Sequence, residues 1–297
     1  MKSSDITIQT ARAGASLAAS EDTNDLQHAP TDPPGANARS SPERYDAWYR
    51  SPRGQWIGQV EFELLLRILR PAAGERLLDV GCGTGYFTRR FAREAAVDIT
   101  GVDPDLPSLT FARSNATYAE HFVASAAERL PFDDQSFDRT LCVTALCFMK
   151  DQRRALDEML RVTRKRLVLG LLNRRSLLYL EKGRQGGVGS YRGARWHTAQ
   201  EARLLFDGLP VSDIEVRSAV FVPAGGSISQ AIEGRMPQRC LFGGFLAVGA
   251  GRADQSAASP DDRCPVRLCA QTVIPAGDQS STIFIGERGA AKKRRGN

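Results

Sequence analysis

The chain has 297 residues, 42% hydrophobic and 25% charged, which excludes a wholly disordered chain, a collagen-like chain and a multi-span membrane protein. Its formal net charge is +6, with 3 bases against 5 acids in residues 1–42, 29 against 24 in the middle and 8 against 5 in residues 251–297. That is a mildly basic surface, without the dense stripe of a nucleic-acid binder.

Residues 1–42 are rich in Ala, Ser, Thr, Asp and Pro, and Pro30, Pro33, Pro34 and Pro42 interrupt any helix. They are expected to form a disordered N-terminal extension. No apolar run follows Lys2, so no secretory signal is expected. Ile57, Val60, Leu64, Leu65 and Ile68 follow helical spacing. Residues 76–80 read as a first strand ending in glycines, and 84–95 as a helix. Residues 97–102 read as a second strand. Asp103 then stands as a helix cap, with Pro104 in the first helical position.

A third strand is expected at 121–125 and a fourth at 138–146. A helix is marked by Ala155, Leu156, Met159 and Leu160, and a fifth strand spans 166–172. Thr198 and Glu201 form a capping box that opens a helix running through Phe206. Residues 216–222 and 244–248 are two more strands with no clear helix between them. Strands alternating with helices predict an α/β, doubly wound parallel sheet, here with room for one antiparallel strand. The domain is placed at 43–250. Residues 251–297, ending near Lys292-Lys293-Arg294-Arg295, are expected to form a disordered basic tail.

Six cysteines are too few for a disulfide scaffold and lack zinc-site spacing, so reduced thiols in a cytoplasm and no metal are expected. No stretch is long and apolar enough to span a membrane.

The chemistry concentrates in Leu78-Asp79-Val80-Gly81-Cys82-Gly83-Thr84-Gly85. A strand runs into three glycines and then a helix, so backbone and helix N-terminus can approach a ligand closely. The third glycine lies four residues after the first, where the dinucleotide fingerprint needs five. That spacing favours a nucleotide-like ligand without a pyrophosphate over NAD. Asp79 places an acid where a cationic amine is read. Asp103 ends the second strand, where a carboxylate accepts from both ribose hydroxyls; its other role would be a helix cap. Ala127-Glu128 opens a loop that feeds the fourth strand.

These three stretches, with the Tyr45-Asp46-Ala47-Trp48-Tyr49 opening, resemble the class I S-adenosylmethionine-dependent methyltransferases of the type-11 domain, which includes quinone-biosynthesis C-methyltransferases. The resemblance implies a Rossmann-like seven-stranded sheet in the order 3-2-1-4-5-7-6 with strand 7 antiparallel. It implies that the loop of Gly81, Cys82, Gly83 and Gly85 wraps the methionyl end of S-adenosylmethionine. Asp79 would take the amino group, Asp103 the ribose, and Ala127 and Glu128 would border the adenine. One departure is Ala126, where the family usually has an Asp that bonds the adenine amine.

Methyl transfer from a sulfonium asks the protein mainly for positioning and desolvation, so no marked triad is expected. The segment 174–197 is a candidate lid over the acceptor, with Tyr191 as a pocket wall and His197 as a general base. Its Arg192 and Arg195 are candidates to pair with an anionic substrate. Cys147 lacks the preceding proline of pyrimidine-directed nucleophiles. The leading reading is a methyltransferase acting on a small-molecule acceptor. The alternatives are a methyltransferase acting on RNA or protein through the basic tail, and a non-catalytic, regulatory S-adenosylmethionine-binding domain.

Overall fold

In the computed structural model, residues 41–237 and 239–253 are described. Seven strands form one sheet: β1 (Arg76–Val80), β2 (Asp98–Asp103), β3 (His121–Ala124), β4 (Phe137–Val143), β5 (Thr163–Leu172), β6 (Val211–Ala219) and β7 (Phe245–Arg252). Their order is β3-β2-β1-β4-β5-β7-β6. Neighbours pair in parallel except β7, which runs antiparallel to both β5 and β6. The expected topology therefore holds.

Alternation along the strands explains why both faces are covered. Leu77, Leu141, Val168 and Ala247 point into one apolar layer, while Leu78, Cys142, Leu169 and Val248 point into the other. The first layer is filled by α2 (Pro52–Leu69) and α3 (Tyr86–Ala95), through Phe62, Leu65, Ile68 and Phe91. The second is filled by α5 (Gln152–Val162) and α6 (Ala199–Leu204), with Leu156, Met159, Leu160 and Ala202. Ser51 caps α2 by accepting the Gly54 N–H, and Pro52 opens it. The helix presses so close to the sheet that a Cβ on Gly249 would overlap Ile68. No helix among the described residues is long and apolar enough to cross a membrane.

Several boundaries differ from the sequence reading, each for a local reason. Pro42 already lies in α1 (Pro42–Trp48), which Ser41 caps, and β7 runs on to Arg252, so both edges of 43–250 move outward. The remaining extension and tail fall outside the described residues. The fourth strand stops at Val143 because Thr144 takes φ +57 and a 3₁₀ turn follows over Ala145–Phe148. Asp105, not Asp103, caps α4 (Leu106–Ser114), accepting the Ser108 N–H at 3.0 Å. β6 begins five residues earlier than expected and ends where Val220 turns to φ +62. A short helix, α7 (Ser227–Glu233), lies between the last two strands, and its Glu233 carboxylate accepts the Val220 and Phe221 N–H groups at 2.9 Å each.

At the N-terminal ends of the central strands, opposite the glycine loop, Glu75 accepts from Arg139 Nε at 2.5 Å and Lys165 Nζ at 2.8 Å. Burial alone would raise this carboxyl, but those hydrogen bonds hold it down at about 2. Burial alone would also raise Asp138, but the Arg76 N–H at 3.1 Å, with Lys165 and Arg164 beside it, holds it below its ordinary value. Depressed carboxyl pKa values stabilise the fold above the unfolded-state value and lose that contribution as pH falls through the folded one. Urea midpoints should accordingly fall between about pH 4.5 and pH 2, and Glu75→Gln should flatten that slope.

Candidate active site

β1 ends at Val80, and the next residues turn back over β2. The Gly81 and Cys82 N–H groups both donate to the Val102 carbonyl, at 2.7 and 3.0 Å. Gly81, Gly83 and Gly85 have φ of +74, +52 and +76, a region that L side chains rarely adopt. Their surroundings differ. A Cβ on Gly81 would overlap Ala145, and one on Gly85 would press on Phe122 and Ala112 at 3.1–3.2 Å. A Cβ on Gly83 would meet nothing within 4 Å. Gly81 and Gly85 thus permit close chain packing, and Gly83 leaves space for something else.

Asp103 holds this loop in place. Its Oδ2 accepts the Gly83 N–H at 2.9 Å, and its Oδ1 accepts the Asp105 N–H at 2.8 Å. The carboxylate thereby joins the β1 loop to the start of α4. Both oxygens keep further lone pairs. Asp79 is buried beneath the loop and accepts from the Thr88 hydroxyl at 2.7 Å. Burial pushes its carboxyl up to about 7, despite that hydrogen bond. Burial likewise pushes the Cys82 thiol up, so it is no thiolate.

A cavity of about 330 Å³ opens at the C-terminal ends of β1, β2 and β4, beside the point where strand order reverses. One end is polar, with Asp79, Gly81, Cys82, Gly83, Thr84 and Asp103. The other is apolar, with Phe148, Leu172, Leu178, Tyr191, Val220 and Phe245. α1 covers it with Tyr45, Trp48 and Tyr49. Arg89 fixes that cover: its Nη1 donates to the Thr84 carbonyl at 2.6 Å and its Nη2 to Asp46 at 2.5 Å. Tyr49 stacks on Tyr86 with centroids 3.6 Å apart, seating α1 on the first turn of α3.

Thr84 Oγ1 and Trp48 Nε1, both on residues that line this cavity, are buried without a hydrogen-bond partner among the described residues. Buried orphans of that kind are costly unless a ligand satisfies them. An adenosyl amino acid fits this donor set: the open space at Gly83, the Asp103 acceptor, and Thr84 with Trp48 for the polar methionyl groups.

The expected site residues separate accordingly. Asp79, Gly81, Cys82, Gly83, Asp103 and Tyr191 line the cavity. Gly85 does not; it packs α3 against Phe122. Ala127 belongs to the core, and the Glu128 carbonyl accepts from Arg154 at 3.1 Å; neither lines the cavity. His197 is 4% exposed and sits away from it, with Nε2 at 3.4 Å from Gln152 Oε1. The same Gln152 oxygen accepts from Arg195 at 2.9 Å. Burial lowers the His197 pKa, so the ring is a neutral packing residue and its expected role as base is not supported by its position. Cys147 is buried, accepts the Leu172 N–H at 3.4 Å, and has its thiol pushed up to about 12. Among the described residues, no group of His, Cys, Asp and Glu is placed to hold a metal ion. Sequence reasoning missed Glu61, Thr84 and Tyr86, and it used Trp48 only as part of the resemblance.

Residues 78–169 match the family described as a methyltransferase domain. An O-methyltransferase of Penicillium expansum is 38% identical over 108 residues, which are 34% of this chain and 39% of that protein. The chain thus spans well under half of that curated relative. An uncharacterized protein of Methanocaldococcus jannaschii is 26% identical over 213 residues, covering 70% of this chain and 95% of that one. A solved SAM-dependent methyltransferase of Thermotoga maritima, described as a possible histamine N-methyltransferase, superposes with a TM-score of 0.55 at 24% identity, over 70% of this chain and 94% of that chain. The fold is the Rossmann-like fold of class I methyltransferases. Within it, the stretch 78–169 that matches the methyltransferase-domain family carries the glycine loop and Asp103.

The Arg89 bridge predicts a measurable coupling. Arg89→Met should leave the core intact yet release α1, because it removes charge-assisted hydrogen bonds of order 1.5–3 kcal/mol each. Amide exchange in residues 42–48 should accelerate at least tenfold while exchange in β4 and β5 stays unchanged.

Proposed function

We propose that the cavity binds S-adenosylmethionine and that the protein transfers its methyl group to a small-molecule acceptor. The observation that carries this reading is the juxtaposition at Gly83: open space above it, Asp103 bound to its N–H, and the unpartnered Thr84 hydroxyl next in the chain. Asp103 would hold the ribose hydroxyls with its remaining lone pairs. Asp79, Thr84 and Trp48 would receive the methionyl amino and carboxyl groups. When bound, the sulfonium supplies an electrophilic methyl group. The remaining chemistry is positioning: the apolar end orients the acceptor and excludes water, and α1 closes over both.

A chamber of this size, walled by Phe148, Leu178, Tyr191 and Phe245, suits a small apolar or aromatic acceptor. Tyr191 is the wall residue proposed to touch the acceptor. The proteins named above include an O-methyltransferase and a possible N-methyltransferase, so the quinone-biosynthesis subtype rests on the sequence resemblance alone. A cytoplasmic location and a single domain near residues 43–250 are part of the same proposal.

Calorimetry with S-adenosylhomocysteine tests the cofactor, with NADH as the negative control. Asp103→Asn should weaken binding about 10- to 100-fold, the scale of one or two hydrogen bonds to an ionised partner. Gly83→Val should abolish it, because the branched side chain fills the space above the loop and is strained at positive φ. Wild-type affinity in both variants would refute the site. Incubation with the methyl-labelled cofactor and fractionated host metabolites then identifies the acceptor; label appearing only in RNA or protein would refute the small-molecule reading.

A further inference from the structure

Glu61 lines the cavity yet, among the described residues, accepts no hydrogen bond and makes no ion pair. It lies four residues beyond Ile57, so both side chains project from one face of α2 toward the cavity. The helix approaches closely there. A Cβ on Gly58 would overlap the Tyr86 hydroxyl and lie 3.1 Å from the Tyr49 ring. The Tyr45 and Tyr49 hydroxyls are 3.5 Å apart. Burial, and with it the Glu61 charge, pushes the Tyr45, Tyr49 and Tyr86 phenols up. A half-buried carboxyl thus faces the cavity beside three tyrosines.

The neighbouring guanidiniums do not neutralise it. Arg89 is held by Asp46 and the Thr84 carbonyl, and Arg90 by Gln59, Glu94 and Tyr86. A desolvated carboxylate gains most from a cation, and tyrosine faces attract cations as well. We infer that Glu61, with Tyr45, Tyr49 and Tyr86, forms a subsite for an alkylammonium group. The inference rests on reading the cavity as a methyl-transfer site. Two sources offer that chemistry: the amino group of the methyl donor, and an amine-bearing acceptor or its methylated product.

Cation binding here should release a proton. Burial raises the Glu61 carboxyl to about 8, so about one molecule in ten is ionised at pH 7. The groups around it are Tyr45 and Tyr49 from α1, Tyr86 from α3, Asp79 and Asp103 at the strand ends, and Arg53 on α2 itself. The phenols stay neutral near pH 8. Asp79 titrates near 7, so the comparison with Glu61→Gln isolates the Glu61 contribution.

The test is calorimetry on the full chain with two pairs of probes. The first pair is S-adenosylhomocysteine and its analogue lacking the amino group. The second is choline, permanently charged, and its uncharged carbon isostere dimethylbutanol, both added to protein saturated with S-adenosylhomocysteine. If the acceptor supplies the cation, choline binds at least tenfold tighter than dimethylbutanol. Its affinity then rises about tenfold from pH 7 to pH 9, and Glu61→Gln loses both effects while keeping S-adenosylhomocysteine. If the methyl donor supplies it, Glu61→Gln weakens S-adenosylhomocysteine at least tenfold but not the analogue, whose retained binding shows that the variant folds. Equal binding of the charged and uncharged member of both pairs by the wild type overturns the inference, whether or not the variant folds. Failure of the wild type to bind S-adenosylhomocysteine overturns the methyl-transfer reading instead, and choline against dimethylbutanol without it still decides the subsite.

Discussion

The Asp103 carboxylate is the constraint on which the upper half of the molecule depends. Three glycines at positive φ give the β1 loop great freedom in the unfolded chain, and that freedom must be removed on folding. Asp103 removes it with one side chain by accepting the Gly83 and Asp105 N–H groups. The loop is thereby registered to the tip of β2, and the start of α4 to the loop. Because β1 and β2 are paired from Arg76–Asp98 through Val80–Val102, this anchor transmits the rigidity of the sheet to the glycine-rich loop.

The covering helices depend in turn on that loop. Arg89 reads the Thr84 carbonyl, a group whose position exists only when the glycines have turned, and carries the result to Asp46 on α1. The Tyr49–Tyr86 stack does the same for α1 through apolar contact. Gly58 allows α2 to close against that stack. The polar end of the cavity is thus built by strand ends, and its roof by two helices whose seating is checked against the loop beneath.

The sheet was legible because β1, β2, β6 and β7 pair a short apolar run with a flanking glycine or proline signal, and because Leu78–Gly85 and Asp103 have a spacing that few ligands require. The capping box at Thr198 was legible for the same local reason and is present in full. Contacts between distant segments were not legible. His197 has the intrinsic chemistry of a base, but an isolated bridge from Asn173 holds it beside β5, away from the cavity. Gly85 looks like Gly81 and Gly83 in sequence, yet Phe122, 37 positions on, decides that it packs instead of facing a ligand. Glu61 was hidden because an acid on a helix normally marks the solvated face. Only the tyrosines brought in from α1 and α3 half-bury it at the cavity wall.

The position of β7 has a further consequence. Among the described residues it is the last strand, yet it lies between β5 and β6, and β6 has no other partner there. During synthesis β5 presents an unpaired edge and β6 stays unattached until residues 245–252 emerge and insert. The same stretch, with Gly244 just before it, brings Phe245 to the apolar end of the cavity. No half-built form of this protein therefore has a closed chamber: the moment the sheet is completed is also the moment the chamber acquires its far wall.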